Sequence, residues 1–204
     1  MARPIDAEKH EARRLHIIDA ALTTFAQYGY QGASTAAICR QAQISSGTFF
    51  HYFPKKLDVL LAILKLGVGE TEEFGQQLQS LSDPLEAIEK IFNRVITDAQ
   101  DERVPGFLQA VAGTLTIPEV AEVLSADDRA QRELLATWVR RAVQRGQVRT
   151  DISAERIASW LQIFSDGFLE RAATDSDFSA KKEAGLLLQT VHQFLAIDHA
   201  PDAS

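Results

Sequence analysis

The residues of this chain best suited to chemistry lie close together. From Ser34 to Phe53 the sequence reads STAAICRQAQISSGTFFHYF, with Lys56 just beyond. Ser34, Ser45, Ser46 and Thr48 offer small hydroxyls, Phe50, His51 and Tyr52 offer flat rings, and Lys56 offers a cation. Hydroxyls and cations reach phosphates or base edges, and rings lie against sugars or thymine methyl groups. Such a set grips a polyanion; it does not make or break bonds. The residue types that catalysis needs are scattered. The five histidines stand at 10, 16, 51, 192 and 199 with no paired ligand spacing. The single Cys39 can form neither an internal disulfide nor a multi-cysteine zinc site, and it reads as a small core residue. There is no Gly-rich phosphate loop and no Ser-His-Asp set in a supporting context. The acid pairs Asp101-Glu102 and Asp127-Asp128 suit turns and helix starts. No metal, cofactor or enzymatic activity is expected.

Positioning those residues requires a folded body, and the composition allows one. Of 204 residues, 46% are hydrophobic and 24% charged, which argues against disorder, collagen-like repeats and a membrane bundle. The longest uninterrupted apolar run covers 59–64, far short of the ~20 residues of a spanning helix. The polar start resembles no export signal, so a soluble, cytoplasmic protein is expected. Charge is divided unevenly. Residues 1–65 carry +3 and the remainder −10, within a net −7. A basic front on an acidic body fits a polyanion-binding module.

Apolar residues recur three and four apart, as in Leu15, Ile18, Leu22, Phe25 and in Leu57, Leu60, Leu61, Leu64, so the chain reads as helical throughout. Gly29 ends the first helix. Ser34 and Ser45 cap short helices over about 34–42 and 45–51, with Ile44 and Phe49 as a hydrophobic staple. After Pro54 a long helix runs over about 55–81. Asp83-Pro84-Leu85-Glu86 opens another, to about 100. Further helices are expected over 107–116, from a Ser125 cap to 146, from a Ser153 cap to 173 with Ile152 and Ile157 as staple, and over 179–197. The tail 199–204 is expected to be loose.

Two helices of about two turns, joined at Gln43-Ile44, are unstable alone and must pack on each other and on the first helix. That is a helix-turn-helix, whose second helix enters the major groove of DNA. Arg40 is a further candidate contact, and Arg3, Lys9, Arg13 and Arg14 read as a solvated basic helix start or a groove-reaching arm. At these residues the chain resembles the tetracycline-repressor-like (TetR) family of bacterial regulators. The resemblance rests on Gly29-Tyr30, Ser34, Ile38, Ala42-Gln43-Ile44-Ser45, Gly47-Thr48-Phe49-Phe50-His51-Tyr52-Phe53 and Lys56. It covers about residues 15–61, with a looser match at Gly146-Gln147-Val148-Arg149-Thr150-Asp151 and Asp166-Gly167. It implies an all-α protein with an N-terminal three-helix helix-turn-helix DNA-binding domain at 1–54. A C-terminal helical bundle at 55–204 would bind ligand and dimerise. Two departures stand out. Gln43 occupies a turn position where the family usually has Gly. A positive φ there is strained by ~1 kcal/mol, so this turn is either strained or shaped differently. Phe50 lacks the hydroxyl of the family's usual Tyr.

The resemblance implies a ligand-responsive transcriptional regulator, most often a repressor. It would bind a near-palindromic double-stranded operator as a homodimer and respond to a small-molecule effector. The candidate DNA-binding residues are Ser34, Ser45, Ser46, Thr48, Phe50, His51, Tyr52 and Lys56. Phe92, Asn93, Phe107, Gln109, Trp138 and Phe164 are candidate ligand contacts. The stripes Ile157, Leu161, Phe168 and Leu187, Val191, Phe194 on the last two helices are candidates for the dimer interface. Trp160, Ile163, Leu169, Leu186 and Leu188 widen those apolar arcs, and so wide an arc meets two neighbours. The alternative is a helical small-molecule carrier or protein-interaction module without DNA binding.

Overall fold

The computed structural model describes residues 4–196, and every regular element among them is a helix. In order these are α1 (Pro4–Gly32), α2 (Thr35–Gln41), α3 (Ser46–Tyr52), α4 (Lys56–Leu78), α5 (Pro84–Asp98), α6 (Val104–Ala112), α7 (Pro118–Gln144), α8 (Ala154–Thr174) and α9 (Ala180–Leu195). Arg3 of the expected arm and the expected loose tail 199–204 lie outside the described residues.

Local chemistry starts the helices where a side chain can satisfy a free backbone N–H. Ser34 Oγ accepts from Ala37 N–H, Ser45 Oγ from Thr48 N–H, Asp83 Oδ1 from Leu85 N–H and Ser153 Oγ from Arg156 N–H, at 3.1–3.3 Å. Gly29 breaks the helical dihedrals of α1 at φ +67. Two expectations give way. Ser125 does not start a helix: α7 begins at Pro118 and runs through Ser125 in its interior. Proline already supplies a helix start with φ preset and no N–H to satisfy, so a serine seven residues on has no free end to cap. Likewise α6 begins at Val104, three residues before the expected start, because Pro105 is tolerated in a first turn.

The chain divides into two compact units. The front unit holds residues through Gly69 together with Glu102–Ser125. Its core joins Ile17 and Phe25 of α1, Ile38 of α2, Phe49 of α3, Val59 and Leu60 of α4, Val111 of α6 and Val120 of α7. Here α6 lies directly on α1. A Cβ added to Gly106 would stand 2.1 Å from the Ala26 carbonyl oxygen, so only glycine permits this approach. Arg103 Nη1 bonds Asp19 Oδ1 at 2.7 Å beside it. The rear unit holds Glu70–Asp101 and the chain from Ala126 onward. Its core is built on Ile88 and Phe92 of α5, Trp138 of α7, Ile157 and Leu161 of α8 and Val191 of α9. No described helix is long and apolar enough to cross a membrane.

Candidate nucleic-acid interface

In the front unit the α2–α3 turn is set by backbone bonds from Ala42 N–H to Ile38 O, Gln43 N–H to Arg40 O and Ile44 N–H to Cys39 O. Gln43 stands at φ +53, the left-handed conformation that costs a side chain ~1 kcal/mol. His16 of α1 closes the arrangement, its Nε2–H donating to Ala42 O at 2.8 Å. Phe49, fully buried, roots α3, with Phe50 edge-on to it at 5.4 Å and Phe53 at 6.0 Å.

This rooting turns a defined face of α3 outward. Ser45, Ser46, Phe50 and His51 are exposed, while Thr48 and Tyr52 are half-buried. The Ser45 and Thr48 hydroxyls bond each other at 2.9 Å, so the cap also orients the Thr48 side chain. Ser34 and Arg40 are exposed on α2 and its cap. Lys56, expected to contact phosphate, is engaged by the protein's own backbone. Its Nζ donates to Tyr30 O at 2.6 Å and Ala33 O at 2.9 Å and lies 4.3 Å from the centre of the Tyr30 ring. The carbonyls at the broken end of α1 lack helical partners, and a cation suits them. Burial holds the Lys56 ammonium below the usual lysine range and pushes the Tyr30 phenol up. The neighbouring Lys55 is exposed instead, its backbone N–H donating to Asp58 Oδ2 at 2.8 Å. The adjacent lysines are indistinguishable in sequence; a bond across 23 residues to Ala33 separates them.

The rear unit distributes its expected ligand residues over separate places. Phe92 and Trp138 are fully buried core, and Arg141 covers the indole at 4.4 Å. Asn93 lines an open groove between α4 and α5, and Phe164 lies between α8 and α9. Phe107 and Gln109 belong to α6 in the front unit, with Phe107 packed on that unit's core. A half-open cavity of the rear unit, about 110 Å³, is lined by other residues. Phe74, Ile91, Leu134 and Leu135 supply apolar walls, and Arg94, Asp98 and Gln162 supply polar ones. Arg94 Nη1 donates to Glu70 O at 2.9 Å, its guanidinium lies 5.0 Å from the Phe74 ring centre, and Asp98 faces it at 3.7 Å. Desolvation raises the Asp98 carboxyl above its ordinary range despite Arg94, with Glu70 and Asp101 adding to the rise. Desolvation likewise raises Asp127 and Asp166. One Asp127 oxygen, Oδ1, is buried without a partner, while Oδ2 accepts from Gln131 at 2.7 Å.

Most of the expected dimer stripe lies inside the protomer. Ile157, Leu161, Phe168, Leu187 and Val191 are all within the protomer's own core, and Phe194 is half-buried against Phe164 at 5.3 Å. The residues left outside are Trp160, Ile163 and Leu186, at 45%, 53% and 60% exposure. A helix covered on one stripe by its own chain can offer only the other.

A cap–turn–cap pair rooted on a third helix, with a polar and aromatic outer face, defines a helix-turn-helix DNA-binding protein. Residues 17–63 match the family model for bacterial regulatory proteins of the tetR family. Residues 84–196 match that for the C-terminal part of BetI-type transcriptional repressors. The chain belongs to the tetR family; it is a DNA-binding transcriptional regulator and not an enzyme. Regulators of this family bind operator DNA and small-molecule effectors, commonly as dimers. The HTH-type transcriptional repressor AcnR of Corynebacterium efficiens is 23% identical over 178 residues, 87% of this chain and 90% of that protein. A TetR transcription regulator from Haloarcula marismortui shares the fold at TM-score 0.79 and 17% identity, covering 91% of this chain and 97% of that one. The transcriptional regulator FadR from Bacillus subtilis, solved in complex with stearoyl-CoA, does so at TM-score 0.72 and 17% identity, covering 89% and 98%.

Proposed function

We propose that this chain is a cytoplasmic, homodimeric repressor that binds a near-palindromic operator and releases it when a small amphipathic molecule enters the rear unit. Residues 1–54, with Lys55 at their boundary, carry DNA contact, and the rest of the chain to residue 204 carries effector binding and dimerisation. The observation that supports this most is the outward face of α3, where Ser46, Phe50 and His51 stand exposed on a helix rooted by Phe49. Ser34, Ser45, Thr48 and Tyr52 flank that face, and Lys55 takes the phosphate role expected of Lys56. The exposed face of Trp160, Ile163 and Leu186 pairs with its symmetry mate, and reading successive major grooves requires the two α3 helices of such a dimer to sit ~34–36 Å apart.

The effector's apolar part meets Phe74, Ile91 and Leu134, and its polar part meets Arg94 and Asp98. A cavity of about 110 Å³ is smaller than the ~300 Å³ at which ligand pockets begin, so the effector fits only after the walls move apart. A ligand that favours the opened state draws the protein toward it and lowers the affinity of the closed state's partner by the same factor. A gel shift with the gene's own upstream region tests the reading. Specific retardation by the wild-type chain, reversed by a compound that raises its melting temperature, is the expected result. Recovery of no sequence from a genomic selection sinks it.

A further inference from the structure

A third ring joins the end of α3 from another helix. The His10 ring of α1 lies 4.5 Å from the Tyr52 ring, centre to centre, tilted by 36°, and meets His51 edge-on at 6.1 Å. His51 and Tyr52 are themselves edge to face at 5.2 Å. His10 and His51 are both exposed. His16, six residues further along α1, differs: its imidazole is held by the Ala42 carbonyl and helps build the fold. Within four residues of His10 along α1 stand Asp6, Glu8, Lys9, Glu11, Arg13 and Arg14, with Arg14 paired to Glu11 at 3.0 Å. The α3 helix, SGTFFHY, carries no acid, Lys or Arg. At the start of α4, Lys55 is exposed, Lys56 is held by Tyr30 and Ala33, and Asp58 accepts from the Lys55 N–H.

We propose that His10 is a further DNA-contacting residue, and that His10 and His51 together couple operator binding to proton uptake. This rests on the reading of α3 as the recognition helix. Neutral, the two imidazoles pack with Tyr52 and offer one N–H each; protonated, each offers two donors and a positive charge to phosphate. DNA phosphates close to the rings favour their charged form, so protons are taken up on binding. By linkage, operator affinity then rises as pH falls through the window in which histidine changes charge, about pH 8 to 5. Each added imidazolium–phosphate contact steepens the fall of log K with log salt by about 0.9.

The test is fluorescence anisotropy of a labelled duplex carrying the gene's upstream region, titrated over KCl at about pH 6 and about pH 8. Wild type is compared with His10→Phe, which keeps a flat ring against Tyr52 but carries no proton, with His10→Phe/His51→Phe, and with His192→Gln on α9 as control. The expected result is several-fold tighter binding by wild type at the lower pH with a steeper salt slope. The pH ratio shrinks in His10→Phe, vanishes in the double variant and is unchanged in the control. A full pH ratio in His10→Phe overturns the inference. So does an equal loss at both pH values with an unchanged slope, which marks a packing role only. Tight wild-type binding with no pH ratio overturns the inference and leaves the regulator reading standing. Absence of wild-type binding at both pH values removes that reading and the inference with it.

Discussion

The α3 and α8 helices each have one face rooted in a core and one face turned out, yet the outward faces differ in kind. The seven residues of α3 bury Phe49 alone and present Ser46, Phe50 and His51. The 21 residues of α8 bury Ile157, Ala158, Leu161 and Phe168 and still present Trp160 and Ile163. A short helix with hydroxyls and rings outside is stable only because other helices hold it, and its free face suits a wet, charged partner. A long helix with a second apolar face loses free energy to water along that face until another apolar surface covers it. The comparison teaches that exposure alone does not define a contact surface; the chemistry of what is exposed names the class of partner.

The sharpest way to break that comparison is to place a charge on each side of α8. Phe168→Glu puts a carboxylate into the rear core and should cost about 3–5 kcal/mol in denaturant melts. Trp160→Glu should leave the monomer folded and dissociate the dimer in sedimentation at micromolar concentration. Dimers that survive Trp160→Glu and Ile163→Glu move the interface off α8. The front unit has its own intolerant point. Gly106→Val forces a side chain against the Ala26 carbonyl and should cost about 3 kcal/mol, with α6 displaced from α1.

Smaller effects sharpen the α3 side. Lys56→Ala should lower stability by about 1.5–3 kcal/mol, because two carbonyls lose a charged donor, while the salt slope of DNA binding stays. Lys55→Ala should do the reverse, flattening the slope by about 0.9 with little change in melting. Equal slopes for both variants would contradict the division of roles. Gln43→Gly should stabilise the front unit by about 0.5–1 kcal/mol by relieving its positive φ, partly offset by glycine's greater unfolded freedom. The smallest expected effect concerns the rear unit. Asp127 has a folded-state carboxyl raised above its unfolded value, so this group favours folding most below the unfolded range and least once pH rises past the folded one. Asp127→Asn should therefore raise the melting temperature at neutral pH, and the gain should fade as the pH drops below the ordinary carboxylate range. A gain that is constant with pH would assign it to the amide's hydrogen bonding instead.

What could be read from the sequence alone was whatever depends on neighbours within about one helical turn. Ser34, Ser45, Asp83 and Ser153 cap helices because the N–H they satisfy is two or three residues away. Gly29 breaks α1 for an equally local reason, whereas Gln43 takes its left-handed turn against its own preference, held there by the closure of α2 onto α3. The all-α class and the helix-turn-helix follow from these, since short capped helices must pack on the first. Ser125 failed because a local signal acts only at a helix end, and Pro118 had already set that end. Everything decided by contacts distant in sequence was out of reach. Periodicity gave α8 two apolar faces without saying which one its own chain would cover, and the rear core chose Phe168 over Ile163. Nothing local tells Lys55 from Lys56, or links His10 to Tyr52 across 42 positions. The raised carboxyl of Asp127 comes from desolvation, and desolvation exists only once the helices have closed around it.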